Sequence, residues 1–598
     1  MLPLISFSHS SSFPRSFMLT GWHYAFVIQR YSSSNRPSTS SNSATSPRKS
    51  GAVNQTFDAM IDFRRQQARR TLLIHLGRSH SESELYKLCS RIGSVTNMTL
   101  YTANKKECAL LEFSNEQSVK NLLKITSHFT NENRLPCVSR NLYFASQYTG
   151  ARLKYPPVGR EVQQPDDLLV DKALSDIHNV SDQIRYFWQK TKLTEVDTRL
   201  RYFVASLVEE ALGSIFVDTV CLPFGSSVNT FGKCRCDLDM LLSFEDFRNK
   251  NIKFDGKMQQ LRFLTKRSYL NDRFQAQAYL KILADTLKHF MAECTNVQII
   301  LPARVPIVRF QHRLSDLQCD VSMSEFKSSY YMSKLLWSLS SADSRVAPIV
   351  FAVRRWAREA SITQSAPGPW FSNFQMTLLV IFYLQSIEIL PKLNYINEQS
   401  TTATTTITSS FQDGIAANGD LSDDVFLMNE LENIRHIPAN KVNNNSLAIL
   451  LKGFFSFYEK FDFQSSIITL LERQNISKSS LIQASKDKEW PIFVENPLVP
   501  SMNASKNLVE SEAERFRQTC TKASQILSES SKNLISLFEE CRQAIPDDLI
   551  ARAYPAPISI MPNLETDIDQ EELTTISHMQ QEQIERVFNH SHQHVINS

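Results

Sequence analysis

Two aspartates that lie two positions apart, Asp237 and Asp239, are the side chains of this sequence best suited to chemistry. The apolar run at residues 238–244 predicts a strand, and residues two apart in a strand point to the same face of the sheet. Adjacent carboxylates repel each other unless a cation lies between them, and their oxygen atoms favour Mg²⁺ or Mn²⁺. The pair therefore predicts a divalent metal site. A lone Asp-x-Asp is also compatible with a solvated strand end or with a metal-dependent glycosyltransferase.

A turn upstream of the aspartates supplies groups that bind phosphate. Gly225, Ser226 and Ser227 form a Gly-Ser turn before a short helix-forming stretch, and the free N–H groups and hydroxyls of such a turn bind anions. The stretch is not a P-loop, because six residues separate Gly225 from Gly232 and Cys234 follows the lysine, whereas a P-loop has four residues there and requires Ser or Thr after its lysine. Metal carboxylates beside a phosphate cradle are the parts of two-metal phosphoryl or nucleotidyl transfer.

A third carboxylate, Asp320, follows two further predicted strands at residues 297–301 and 305–310. Two-metal transfer needs such a group on a neighbouring strand, where it holds the metal that activates the nucleophile. The Gly-Ser turn, the Asp-x-Asp and the third aspartate together predict a phosphoryl- or nucleotidyl-transfer centre, although the Asp-x-Asp alone is a weak signal.

The elements that must hold this centre predict an α+β protein with several parts. With 598 residues, the chain has room for three or four domains. Residues 60–150 have the β-α-β-β-α-β order of an RNA-recognition-motif fold, with a predicted strand at 71–76 and a predicted helix at 116–125. Residues 165–345 combine helices with the strands above and with a further predicted strand at 216–222, and residues 346–525 are mainly helical. The Thr-, Ser- and Asn-rich stretch at 397–444 predicts a mobile insertion, and the composition of residues 546–598 predicts a polar tail.

The sheet of the first of these domains predicts contact with protein more than with RNA. RNA-recognition motifs stack bases on aromatic rings of two central strands, and here Cys108 and Leu110 hold such positions. We therefore expect an apolar sheet face that contacts a protein, such as a second copy of the chain in a homodimer. A small α+β domain without any partner is the alternative.

The N-terminal segment has a charge pattern of its own. Residues 1–55 are rich in Ser and Arg, and the first acidic residue is Asp58. This is the composition of a mitochondrial transit peptide, with a disordered Ser-rich tail as the alternative.

The net charge of the whole chain is only +4, so RNA must be met by local basic patches. No apolar run reaches the roughly 18 residues of a spanning helix, so no membrane insertion is expected, and ten cysteines without regular pairing fit a reducing compartment.

Further stretches resemble the poly(A) polymerase and terminal uridylyltransferase branch of the DNA polymerase β-like nucleotidyltransferase superfamily. Residues 353–358 are similar to a helix of that branch with the pattern Lys-x-Trp-Ala-Lys, and Asn503 belongs to a segment similar to its nucleotide-recognition loop. Residues 376–385 and 450–463 resemble its apolar helices. The resemblance covers about residues 165–525 and, with the leader and the first domain, fits the mitochondrial poly(A) polymerases best.

This resemblance implies a fold and an activity. The palm would span 165–345 and a helical poly(A)-polymerase-associated domain 346–525, in an RNA 3′-adenylyltransferase of the mitochondrial matrix that uses ATP. Asp237 and Asp239 would bind two Mg²⁺ or Mn²⁺ ions, and Asp320 would bind the ion that activates the RNA 3′-hydroxyl. The implied ATP contacts are Gly225, Ser226, Ser227, Arg354, Arg358, Asn373, Phe374 and Asn503. Of these, the two arginines would grip the phosphates, and the Asn-Phe pair, where the family usually has Ser-Tyr, would contact the nucleoside.

The sequence departs from the pattern of the family in three respects. Ser324 and Glu325 replace an Asn-Asn pair, and Met332 replaces an Asn that commonly contacts the ribose. Uridylyltransferases carry a His before the Asn of the recognition loop, where this chain has Met502. The missing His favours ATP over UTP. A terminal uridylyltransferase and a catalytically inactive RNA-binding or scaffolding relative remain the alternatives.

Overall fold

The computed structural model describes residues 56–77, 82–128, 137–145, 159–161, 167–216, 218–244, 271–323, 326–364, 366, 368–394, 443–472 and 490–543. The predicted leader at 1–55, almost all of the predicted insertion at 397–444 and the predicted tail at 546–598 lie outside the described residues. In the described part of the chain, no helix combines the length and apolar character needed to cross a membrane.

An N-terminal module opens the described chain. Its elements are α1 (Phe57–Arg69), β1 (Thr71–Leu76), α2 (Glu82–Ile92), β2 (Val95–Ala103), β3 (Lys106–Phe113), α3 (Glu116–Ile125), β4 (Asn141–Phe144) and β5 (Gly159–Arg160). The strands form one sheet in the order β4-β1-β3-β2-β5. The side chain of Asn115 starts α3 by accepting a hydrogen bond from the N–H of Ser118. The β-α-β-β-α-β order expected from the sequence is confirmed from β1 to β4.

The direction of β4 differs from that of an RNA-recognition motif. A crossover from β3 through α3 that passes over β1 would leave β4 parallel to β3 and antiparallel to β1. Here β1 is antiparallel to β3, and β4 is parallel to β1. The module therefore has the strand order of the motif with its last strand reversed.

A palm follows the module. Its elements are α4 (Asp167–Ser175), α5 (Val180–Thr191), α6 (Glu195–Gly213), β6 (Val220–Pro223), a 3₁₀ turn (Gly225–Ser227), β7 (Leu238–Ser243), α7 (Asp272–His289), β8 (Cys294–Ile300), β9 (Ile307–His312) and β10 (Leu317–Ser322). Thr194 and Asp197 form a capping box that starts α6. The sheet has the order β6-β7-β10-β9-β8, in which β7 and β10 run parallel and the other pairs are antiparallel.

The apolar face of the module's sheet is buried against this palm. Cys108, Leu110 and Tyr101 lie in one apolar cluster with residues of α6 and of the palm sheet. The hydroxyl of Tyr101 donates to the carbonyl oxygen of Leu314 at 2.7 Å. The expectation of a protein contact at this face was thus right in kind, but the protein is the palm of the same chain. A second copy cannot use this face, and the expectation of a homodimer contact there was wrong.

A helical part completes the described chain. It contains α8 (Phe326–Ala342), α9 (Val346–Glu359), α10 (Asn373–Ser386), α11 (Leu447–Lys460), α12 (Glu510–Ile526), α13 (Leu534–Gln543) and the short strands β11 (Leu393–Asn394), β12 (Leu471–Glu472), β13 (Glu495–Asn496) and β14 (Val499–Asn503). Ser372 and Gln375 form the capping box that starts α10. Most residues of α9 and α10 are buried in one large apolar cluster with α11, α12 and α13, so these helices form a firm support for the residues at their ends.

The first helix ties the N-terminal module to α8. Phe57 packs edge-on against Tyr330 and Trp337, and the carboxylate of Asp58 accepts from the buried ammonium of Lys334 at 2.8 Å. Because α8 also contacts the 3₁₀ turn and β7, α8 links the first helix to the Gly-Ser turn.

Candidate active site

The second and third aspartates lie side by side on parallel strands. In the register of β7 and β10, Asp239 is the partner of Asp320. Asp237 is the exposed residue immediately before β7, and its charge acts on Asp239. Three acids that are distant in the sequence are thus brought to one end of the palm sheet, as their spacing predicted.

The charges of these acids are not balanced within the site. Burial, and then the charges of Asp320 and Asp237, raise the pKa of Asp239 to about 7. Burial and Asp320 also raise the pKa of Asp237. Arg201 and Arg309 oppose these shifts without cancelling them. A divalent cation would relieve the repulsion, and carboxylate oxygens are the donors that Mg²⁺ or Mn²⁺ prefers.

The third acid is held by an arginine. The Nε and Nη2 atoms of Arg309, on β9, donate to the two carboxylate oxygens of Asp320 at 2.8 and 2.7 Å. Among the described residues, no three His, Cys, Asp or Glu side chains are arranged to hold a metal ion as they stand. The donor chemistry of the three aspartates therefore fits a divalent cation, but the site is not closed around one in this geometry.

The Gly-Ser turn is fixed directly beside Asp239. The N–H of Phe224 donates to the carbonyl oxygen of Asp239 at 3.0 Å, and a Cβ atom on Gly225 would lie 4.0 Å from the carboxylate. Gly225 has a φ of +60°, a left-handed conformation that favours glycine. Its N–H donates to the hydroxyl of Ser333 at 2.9 Å, so that N–H is not free for a phosphate.

The two serines of the turn offer hydroxyl groups of different kinds. The Oγ atom of half-buried Ser226 lies 3.5 Å from the Sγ atom of Cys236. The Oγ atom of buried Ser227 has no hydrogen-bond partner among the described residues. A buried hydroxyl without a partner is unfavourable, so a ligand that accepts or donates a hydrogen bond there would stabilise the turn.

A cavity of about 300 Å³ contains three of the predicted ATP contacts, Arg354, Arg358 and Asn373. Arg354 donates to the carbonyl oxygen of Phe231 at 2.8 Å and to Oδ1 of Asn373 at 3.2 Å, and burial lowers its pKa to about 10. These contacts direct Arg354 toward the protein wall. The expectation that both arginines grip the phosphates stays a prediction, and in this structure the guanidinium of Arg354 bonds the wall of the cavity.

Sequence reasoning missed Lys233 and Asp167 in this cavity region. Lys233 lines the cavity, and its ammonium lies 2.9 Å from Asp167 Oδ1. The same carboxylate accepts from Arg358 at 2.8 Å and lies 3.3 Å from Arg355. These cations hold the pKa of Asp167 at about 2, despite its partial burial. Lys233 was visible as part of the rejected P-loop pattern, whereas nothing in the local sequence marks Asp167.

Arg201 was also missed, although it lies behind the aspartates. Its side chain is fully buried in α6, and Nη2 donates to the carbonyl oxygen of Cys236 at 2.6 Å. This bond fixes the backbone one residue before Asp237. An Arg in a helical apolar pattern gives no sign of such a contact, because the contact depends on how α6 packs under the sheet.

The predicted nucleoside contacts occupy the start of α10 and the end of β14. The ring of Phe374 is 36% exposed at the first turn of α10, where it is available to a base. Asn503 is buried, and it bonds the backbone of Val494, Ile492 and Ser505. These bonds fix the backbone around Asn503. A direct contact with ATP would need a side chain that is free and faces a cavity, and in this structure the side chain of Asn503 is neither.

Comparison with known proteins places these features in context. A family model described as "Poly(A) RNA polymerase, mitochondrial-like, central palm domain" matches residues 180–340, and an "RL domain" model matches residues 56–127. The human protein named "Poly(A) RNA polymerase, mitochondrial" is 32% identical over 492 residues, which are 80% of this chain and 78% of that protein. The Drosophila melanogaster protein of the same name is 30% identical over 512 residues, with coverages of 82% and 79%.

Solved structures of mtPAP are also similar to this chain. The crystal structure of mtPAP in complex with UTP matches with a TM-score of 0.67 and 28% identity, over 81% of this chain and 99% of that one. The complex with ATPgammaS matches with a TM-score of 0.66 and 29% identity over the same shares. The shared fold thus includes the N-terminal module, the palm and the helical part.

Proposed function

The chain belongs to the mitochondrial poly(A) RNA polymerase family and is a polynucleotide adenylyltransferase that acts on RNA with ATP, and we propose that Asp237, Asp239 and Asp320 form its catalytic centre. The observation that supports this assignment is the register of β7 and β10, which pairs Asp239 with Asp320. The raised pKa of Asp239 supports it further, since the acids repel each other while no cation is between them.

The three aspartates are the residues that would hold Mg²⁺ or Mn²⁺. When bound, such a cation lowers the pKa of the RNA 3′-hydroxyl and neutralises charge on the phosphates. The protein's own contribution is position, because two parallel strands fix the spacing of Asp239 and Asp320. Arg201 also contributes to this positioning, because its bond to the carbonyl oxygen of Cys236 fixes the backbone that leads into β7.

The rest of the site fits ATP. We propose that Ser226 and Ser227 contact the triphosphate, together with Arg358, while Phe374 stacks on the adenine ring. Arg354 and Asn373 bond each other and order the wall between these two groups. Asn503 acts indirectly, because its bonds fix the end of β14, the strand that carries Met502. Attack of the RNA 3′-hydroxyl on the α-phosphate then extends the RNA by one adenylate and releases pyrophosphate.

Selection of ATP over UTP involves the catalytic step as well as the binding of the nucleotide. The mtPAP structures include complexes with UTP, GTP, CTP and ATPgammaS, so occupancy of the site does not by itself reveal the nucleotide that is used. Met502, in place of the His of uridylyltransferases, supports adenylate addition. The uridylyltransferase alternative is not favoured.

The test is a primer-extension assay with purified protein lacking residues 1–55. An RNA primer is incubated with each of the four nucleotides in turn, with and without Mg²⁺. We expect extension with ATP and Mg²⁺, its loss in Asp239→Ala, and wild-type extension in Asp285→Ala, which changes an exposed acid on α7. Extension by UTP in preference to ATP, or by Asp239→Ala as by wild type, would contradict the assignment.

We also propose the domain limits, location and assembly. The palm spans 165–345 and the nucleotide-recognition part 346–525. The relatives' names support a mitochondrial protein, and the acid-free leader supports import into the matrix.

Self-association would use the side of the N-terminal module that the palm leaves open, where Leu88, Ile125 and Val138 are exposed. Light scattering that finds only monomer at assay concentrations would exclude the homodimer.

A further inference from the structure

Arg309 contacts the catalytic acids from the strand opposite to β7. Asp320 has Asp239 beside it on one neighbouring strand and Arg309 beside it on the other. Both carboxylate oxygens of Asp320 accept from the guanidinium, at 2.8 and 2.7 Å. This two-bond geometry is the one in which an arginine binds a carboxylate most strongly.

The two-bond contact with Arg309 occupies both carboxylate oxygen atoms of Asp320, and a metal would need at least one of them. A cation shared by Asp239 and Asp320 must bind at least one oxygen of each, and Asp320 has none without a bond to Arg309. The side chain of Arg309 is 37% exposed, whereas that of Asp320 is 14% exposed. The guanidinium therefore has solvent beside it into which it can move when a cation takes over its contact, while the carboxylate stays in the sheet.

We propose that Arg309 is a positioning residue that takes the place of a divalent cation at Asp320, and that it releases at least one oxygen when the cation binds. This inference depends on the proposed role of Asp320 as a metal ligand. In the metal-free protein, Arg309 keeps Asp320 in line with Asp239 despite their repulsion. The same contact competes with the metal, so Arg309 sets the concentration of cation at which the site closes.

The chain offers a matched control for the loss of an arginine near this strand. Arg313 lies one residue after β9, pairs with Glu293 at 3.6 Å and is half exposed. Arg313→Gln removes the same charge and an ion pair with another carboxylate, but leaves the three aspartates untouched.

The test measures metal binding without any activity. Mn²⁺ affinity is determined by electron paramagnetic resonance, without nucleotide, at about pH 8, above the raised pKa of Asp239. Arg309→Gln is expected to bind Mn²⁺ about fivefold more tightly than wild type, the size expected for removing a half-exposed competing charge. Arg309→Lys, which keeps the charge without the two-bond contact, should lie between the two, and Arg313→Gln should match wild type.

A second measurement, of the melting temperature, distinguishes an Arg309 that holds Asp320 in place of the cation from one that only supports the fold. In EDTA, Arg309→Gln is expected to melt below wild type, and saturating Mg²⁺ should abolish this difference, because the cation then holds Asp320. Mn²⁺ affinity of Arg309→Gln equal to or weaker than that of wild type would overturn the inference. If Asp320→Asn binds Mn²⁺ as wild type does, the proposed role of Asp320 itself fails, which is a distinct outcome. Should Arg309→Gln fail to fold, the Arg309→Lys comparison decides.

Discussion

The carboxyl group of Asp239 lies where burial and two neighbouring acids all disfavour its charge. The proposed metal role explains this unfavourable position, because the same geometry would offer a cation a pair of converging ligands. At the scale of single residues, the site is thus built from groups that are poorly stabilised until the substrates arrive. The hydroxyl of Ser227, without a partner among the described residues, is a second example.

Removal of the Asp239 charge is expected to stabilise the metal-free protein. The folded pKa of about 7 exceeds the ordinary value of 3.8, so the group contributes stability that is full below about pH 4 and is lost as the pH rises through 7. In EDTA at about pH 8, Asp239→Asn should unfold with a free energy about 2–4 kcal/mol higher than wild type. The gain should vanish at about pH 4. Denaturant unfolding at both pH values checks this, with Asp285→Asn as control, and equal stabilities at about pH 8 would contradict it.

The sequence was informative about individual acids because each lies in a local pattern. Asp237 and Asp239 stand at the start of an apolar strand, and Asp320 stands inside another. Arg309 also lies in a strand that the sequence predicted, but its bond to Asp320 requires the register of β9 against β10. That register is a property of the hairpin and of packing, and no spacing along the chain expresses it.

At the scale of elements, the short helix α4 brings a carboxylate to the candidate phosphate cavity. Asp167, its first residue, contacts Lys233, Arg355 and Arg358. If the triphosphate of ATP binds these cations, as proposed above, it must compete with this carboxylate. We therefore expect the element to lower the apparent affinity for nucleotide while it keeps the cations from repelling each other.

Asp167→Asn is expected to lower KM for ATP about threefold to fivefold with little change in kcat. The reason is that the amide no longer competes for Lys233 and Arg358, and the size is that of a partly exposed ion pair. Steady-state extension of an RNA primer at varied ATP checks this. Asp171→Asn, one turn further along α4 and paired with Arg355 at 2.9 Å, is the control and should leave KM unchanged. An unchanged or higher KM in Asp167→Asn would count against the competition.

Element boundaries were predicted best where no unusual backbone interrupts the pattern. The expected strand at 71–76 and the expected helix at 116–125 agree with β1 and α3. The strand expected from 216 begins at Val220 instead. The reason is visible at Asp218, whose φ of +59° places it in a left-handed conformation that breaks an extended run. Such a residue has no clear signature when the neighbouring side chains are apolar.

At the scale of the whole molecule, the N-terminal module and the palm form one body. Arg140 lies at their boundary and is buried. It donates to Glu210 at 2.9 Å and to the hydroxyl of Ser206, both on α6, and to the carbonyl oxygen of Thr71 at 3.1 Å. Its guanidinium also stacks over Phe203. This combination could not be read from the sequence, because an apolar sheet face has the same pattern whether it meets a palm or another chain.

Arg140→Met is expected to lower the free energy of unfolding by about 2–4 kcal/mol, because several buried acceptors lose a charged donor. Denaturant unfolding of the chain lacking residues 1–55 checks this value. The matched change Arg91→Met, at an exposed position on α2, should alter stability by less than about 0.5 kcal/mol. Equal effects of the two changes would show that the boundary contact is unimportant.

The burial of Cys108 and Leu110 beneath the palm has a consequence for how inherited variants of this enzyme are interpreted. A bulky or polar replacement at either position would loosen the support of the catalytic half, even though both positions lie where related modules touch nucleic acid. Its signature would be a heat-labile enzyme with ordinary affinity for its primer. Screens that score only RNA capture would therefore classify such variants as harmless.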